Sequence, residues 1–205
     1  MRAATRRRLR RWALLGASAT IAVLVIAGLA LSSAPGGGGP AQPGRDALEY
    51  TEGVGSPVDL MASVDHRPVG EFIDYSTTPP TSGPHWGTPE WADCGIHEAQ
   101  VPDERIVHNM EHGQVVISYN LPNEEDAARL LEVAEGLPDM ESWTVVRPYD
   151  KIEEGAVAVT AWGVMDVVQG VDEDRIRRFY TEYARNRFSE ETRQAGPLRC
   201  TSVVS

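Results

Sequence analysis

The sequence predicts an α+β domain: a small, mainly antiparallel sheet with helices packed on one face. A long ordered Pro/Gly-rich loop region and an N-terminal transmembrane helix precede it. Three observations carry this. From Gln114 onward, strand-like and helix-like patterns alternate in the order β-α-β-β-α. Residues 74–104 are rich in Pro, Gly, Thr and Trp and show neither period. Near the N-terminus an uncharged run over residues 12–31, rich in Ala, Leu, Val and Ile, succeeds a cluster of arginines.

Arg2, Arg6, Arg7, Arg8, Arg10 and Arg11 crowd the start of the chain. The 20 uncharged residues behind them would span about 30 Å as a helix, the thickness of a bilayer's hydrocarbon core. Residues 1–11 then form a cytoplasmic basic tail, held inside by the positive-inside bias. Residues 12–31 form a single-pass membrane helix. The rival reading is a cleaved secretory signal, whose apolar core is usually shorter, about 7–15 residues. No cysteine ends the run, so a lipoprotein signal is excluded. Both readings export the rest of the chain.

Residues 32–45 read as a Gly/Pro linker. Residues 46–205 are long enough for one extracytoplasmic domain with its own core. Setting the six N-terminal arginines aside from 19 Lys+Arg leaves 13 against 30 Asp+Glu, about −17 for the exported part. That charge disfavours nucleic acid and anionic head groups as partners; the membrane is met through the N-terminal helix alone, and no protein partner is specified. Cys94 and Cys200, the two cysteines, read as a disulfide in an oxidising compartment, with metal ligation as the lesser alternative.

The regular elements begin at residue 115. Val115, Val116, Ile117 and Tyr119 form a short apolar strand. Asn123 is a good N-cap, with Glu124, Glu125 and Asp126 in the first helical turn, where the helix dipole favours acidic groups. Ala127, Leu130, Leu131 and Ala134 repeat at helical spacing until Gly136 and Pro138. Residues 143–147 and 156–162 are β-branched and apolar-rich, two strands joined by an acidic turn. Asp172 caps a second helix with the stripe Ile176, Phe179, Tyr180 and Tyr183, most simply core.

Any chemistry lies with the histidines, all five of which fall between His66 and His112. His108 and His112 share a face whether their segment is helical or extended. Glu111 joins them on a helix, Met110 on a strand. H-x-x-E-H on a helix is the inverted zincin pattern, two zinc ligands with a carboxylate base. His, Met and His on one edge suit copper, especially Cu(I). Because Gly113 and a strand signal come directly after, at most one turn of helix fits. His85 ends a proline-stiffened loop, His66 precedes the first strand-like segments, and His97 is a fainter candidate. Ser82 lacks a nucleophile elbow. Trp86 and Trp91 line a pocket or cover the core. The bland alternative is that the imidazoles only satisfy loop backbone.

The stretches PPTSGPHW (residues 79–86), WADCG around Cys94, VHNMEHGQVVISY (residues 107–119) and TAWG (residues 160–163) resemble domain-of-unknown-function family 3105. Its members are exported or membrane-anchored bacterial proteins. The resemblance implies histidines at His66, His85, His108 and His112 and cysteines at Cys94 and Cys200, supporting the disulfide. This chain departs at His97, where an aromatic residue is usual, and at Met110, where leucine is usual. That weakens the thioether route to copper. The family carries no established activity.

The expectation is therefore a non-enzymatic metal-binding domain with His66, His85, His108 and His112 as ligands of copper or zinc, and Glu111 as a carboxylate orienting a ring. A metal-dependent hydrolase with Glu111 as base and a metal-free structural or partner-binding envelope domain are the alternatives.

Overall fold

The computed structural model describes residues 49–185. The basic tail (1–11), the membrane helix (12–31), the linker (32–45) and Cys200 lie outside the described residues. Among the described residues no helix is long and apolar enough to cross a membrane.

The elements run β1 (Ser56–Pro57), β2 (His66–Arg67), β3 (His85–Trp86), β4 (Gly95–Ile96), α1 (Asp103–Glu111), β5 (Val115–Tyr119), α2 (Glu124–Glu135), α3 (Met140–Trp143), β6 (Thr144–Pro148), β7 (Ala156–Ala161), β8 (Val164–Gln169) and α4 (Glu173–Tyr183). They form a mixed α+β domain. Six strands make one mainly antiparallel sheet, ordered β1-β8-β7-β5-β6-β4, and β2 and β3 form a separate parallel pair. Asn123 caps α2 by accepting from the Glu125 amide, and Asp172 caps α4 by accepting from the Arg175 amide.

Helices cover both faces of the sheet, not one. Asp166, Val159, Ile117 and Val146 stand side by side across β8, β7, β5 and β6 and so share a face. On that face Asp166 pairs with Arg175 of α4, and Arg177 of α4 reaches the Gly136 carbonyl at the end of α2 (2.9 Å). Arg147 and Ser118, one residue further along their strands, face the opposite way. There Arg147 pairs with Asp103 of α1 at 2.7 Å. The physical reason is visible in the strands: β7 is buried at every position, and β5 and β6 at all but the last. Such unbroken runs mean cover on two sides.

The sheet also contains β8, absent from the sequence-based order. Its inward positions are Val164, Asp166 and Val168, and the acid breaks the apolar alternation that would announce a strand. A two-residue turn at Trp162 and Gly163 links it to β7. The strands β6 and β7 do not pair with each other; they flank β5, β6 parallel after the α2 crossover and β7 antiparallel.

The helix before β5 is the largest correction. It has nine residues, not one turn, because it starts inside the stretch read as loop. Pro102 stands at its N-cap and Asp103 and Glu104 fill its first turn. Ile106, Val107 and Met110 enter the core at helical spacing. The helix stops at Gly113, whose φ of +89° lets the chain turn out of the helix. The Gly113 amide then bonds the Met110 carbonyl (3.0 Å) and the Gln114 amide bonds that of Asn109 (3.1 Å), a Schellman closure.

The other end of α1 is seated by Arg147, which is fully buried. It donates to Ser118 Oγ (3.1 Å), the Val101 carbonyl (2.6 Å) and Asp103 Oδ1 (2.7 Å), and stacks on the Tyr149 ring at 4.1 Å. Asp103 also accepts from Tyr149 and from half-exposed Lys151. Replacing Asp103 by Ala strands a buried guanidinium, so urea unfolding should show a loss of about 3–5 kcal/mol. Lys151→Ala, at the solvent side of the same carboxylate, should cost under about 1 kcal/mol. Equal losses in the two variants would contradict the central role of the guanidinium.

Candidate metal centre

Two structural units deliver the side chains. His66 and His85 are direct partners in the parallel β2–β3 pair, so their rings project from one face with centroids 4.9 Å apart. A β-carbon on Gly87 would lie 3.3 Å from the His66 β-carbon, so its bareness leaves the ring its space. The second unit is the end of α1, where His108 and Glu111 lie three residues apart on one face and His112 caps the helix. The His108 ring lies 4.8 Å from that of His85 and 5.5 Å from that of His66.

Backbone carbonyls set two of the rings. His85 Nδ1 lies 3.1 Å from the Gly83 carbonyl, and His108 Nδ1 lies 3.3 Å from that of Glu90. A carbonyl only accepts, so each Nδ1 carries a proton, and in the neutral ring each Nε2 presents a lone pair. Gly83 has φ +126°, and a β-carbon there would come 2.5 Å from Met61 Sδ, so glycine alone supports this loop.

On the far side of the His85 ring, Nε2 meets Glu111 Oε2 at 3.2 Å. Both atoms are buried, and neither has a hydrogen-bond partner beyond the other. With His85 neutral these are two acceptors facing each other in a buried site, and they repel unless a cation, a proton or a metal ion, lies between them. Ligand atoms of His66, His85, His108 and Glu111 all lie within 4.8 Å of one another. Ligands of one tetrahedral ion, bound at about 2.0–2.1 Å, stand about 3.3 Å apart. The His85–Glu111 separation already matches, and His66 is the exposed member, on a strand of two residues.

A family model described as Protein of unknown function (DUF3105) matches residues 66–196. The chain belongs to this family. No curated protein and no solved structure matches it. In this DUF3105 chain the matched stretch begins at His66 and takes in every member of the histidine–glutamate group.

Of the residues singled out from sequence, His66, His85 and His108 converge, with Glu111 at the same range. His112 adjoins them through His108, ring centroids 5.1 Å apart, and its buried Nδ1 lacks a partner. His97 stands outside the group, its Nε2 bonded to the Asp93 carbonyl at 2.7 Å. Met110 does not face the rings; it is fully buried in the hydrophobic core. No cysteine is free among the described residues, and the Cys200 expected to pair with Cys94 lies outside them. Trp91 packs edge-on against His108, centroids 5.4 Å apart. The sequence-based reading passed over Gly83, Glu90 and Asn109, which hold the rings or their loops; only the glycine before Pro84-His85 carried a local signal.

Burial, and then the neighbouring imidazoles of His85 and His112, hold the His108 pKa down at about 4. Burial also lowers His112 to about 4, against the pull of Glu111. For Glu111, burial pushes upward, but contact with His85 and the nearby His112 and His108 outweigh it, and its pKa falls below 4.5. The unfolded chain protonates both histidines near 6.5, the folded domain only near 4. Between those values the unfolded state binds more protons, so stability is lost as pH falls through that window. In chelator-treated protein the urea midpoint should therefore drop between about pH 6.5 and about 4. His108→Gln should flatten the drop; an unchanged pH slope in that variant would refute the assignment.

Proposed function

We propose that this domain binds one transition-metal ion, zinc or copper, through Nε2 of His85 and His108, a ring nitrogen of His66 and a carboxylate oxygen of Glu111. One observation carries the reading: His85 Nε2 and Glu111 Oε2, buried and without hydrogen-bond partners beyond each other, stand 3.2 Å apart. Three imidazoles and a carboxylate suit Zn(II) or Cu(II). The thioether route to Cu(I) lapses because Met110 lies in the core. His112 stands beside this set, with its Nδ1 available either to the ion or to a ligand's neighbour.

A hydrolytic reading needs Glu111 as a base next to the ion, but a carboxylate at ligand distance from His85 serves first as a ligand. A purely structural reading explains the Nδ1 bonds of His85 and His108 to carbonyls. A protonated His85 would also account for the facing Glu111 oxygen, but the convergence of His66 and His108 on the same pair is left without a role. The reading extends to location: residues 12–31 tether the domain outside the cytoplasm, where a Cys94–Cys200 disulfide and metal free of cytosolic thiols fit together.

Protein purified without a histidine tag should carry, or take up, one zinc or copper ion per chain by elemental analysis. His85→Ala and Glu111→Ala should weaken binding at least about 100-fold, since each removes a donor atom. At 100 times the dissociation constant the ion should add about 2.7 kcal/mol of stability. A wild-type protein that neither holds a stoichiometric ion nor gains stability with either metal would sink the proposal.

A further inference from the structure

A helix sets the position of His108 but not the rotation of its ring, which could turn either nitrogen toward the other donors. The Glu90 carbonyl selects the orientation, so whatever holds residue 90 controls the ring. Asn109 is fully buried in the last turn of α1 and turns both ends of its amide to another segment. Its Nδ2 donates to the Ala92 carbonyl at 2.9 Å, and its Oδ1 accepts from the Ala92 amide at 2.8 Å. Arg105 reaches the same segment through Nη2, 2.6 Å from Glu90 Oε2. Arg105, His108 and Asn109 stand at i, i+3 and i+4, one side of the helix. Segment 90–92 is thus clipped to α1 at both ends, with the Glu90 carbonyl on His108 Nδ1 and the Trp91 ring edge-on to the imidazole between the clips.

Asparagine is a poor helix former, and its side chain competes for backbone bonds. Its burial here is balanced by satisfying both backbone groups of Ala92, itself nearly inaccessible. We infer that Asn109 and Arg105 are positioning residues for His108, acting through segment 90–92 to keep its Nε2 edge toward His66, His85 and Glu111. The purpose of the arrangement rests on the metal-binding proposal; its geometry does not. Outer partners of this kind typically alter metal affinity about 10–100-fold.

The test uses full-length protein with 15N-labelled histidine. In the metal-free wild type, nitrogen chemical shifts at neutral pH should report His108 as the Nδ1–H tautomer. In Asn109→Ala and Arg105→Ala that preference should weaken, Zn(II) affinity should fall about 10–100-fold at an unchanged one ion per chain, and Arg105→Lys should restore both. Should Asn109→Ala fail to fold, Arg105→Ala carries the test, because its side chain is 40% exposed. A His108 tautomer unchanged in folded Arg105→Ala overturns the inference and leaves the metal reading standing. A tautomer that shifts as expected in a protein whose wild type binds neither Zn(II) nor copper supports the positioning role and overturns the metal reading.

Discussion

Arg147 is a guanidinium with no access to solvent, and the domain's geometry depends on how it is satisfied. Its partners come from β5, from the backbone before α1 and from the first residue of α1, so one side chain ties helix to sheet. A buried ion pair adds little net stability over an apolar pair of the same shape, but it admits few alternative arrangements. The N-terminus of α1 is pinned by charge and its C-terminus by the turn at Gly113. Between those two fixed points the helix has one rotational setting. That setting sends Ile106, Val107 and Met110 into the core and turns His108 and Glu111 toward β2 and β3.

The second unit, β2 with β3, is only two residues long in each strand and would hold little by itself. It is held by loops: Gly83 supplies the carbonyl for His85, and Gly87 leaves room for His66. The site is therefore asymmetric. His85, His108 and Glu111 are buried and oriented by backbone carbonyls or by each other, while His66 is exposed at the rim. A buried carboxylate facing a neutral imidazole is electrostatically incomplete, and burial holds the pKa values of His108 and His112 low, which keeps those two rings neutral and able to donate electron pairs. This combination suits a cation better than it suits a packed core.

Local chemistry was legible wherever one residue type has one physical job. Asn123 and Asp172 were readable as caps, the stripes of α2 and α4 as buried faces, and β5 as an apolar strand. The start of α1 was obscured because a proline-rich stretch reads as loop, although Pro102, Asp103 and Glu104 are themselves helix-start signals. The strand β8 was hidden by Asp166, an inward-facing acid whose partner Arg175 is nine residues away. Helices on both faces of the sheet could have been inferred from the unbroken burial of β7, but an apolar run alone does not distinguish one neighbour from two.

By itself the sequence determined that all five histidines fall between His66 and His112, that residues 108–112 carry a carboxylate beside two imidazoles, and that the chain has the DUF3105 motifs. It also carried the helix-capping and strand patterns, because those depend on neighbours within a few residues. Only the tertiary structure decided which histidines meet. Bringing His66 and His85 against His108 requires pairing two distant strands and seating a helix over them, contacts between residues far apart along the chain. It also decided that Glu111 rather than Met110 faces the rings, since helix rotation is set by what the other side of α1 buries. The fate of each donor atom is a three-dimensional property: whether its lone pair is spent on a carbonyl or left facing the site depends on groups brought there by the fold.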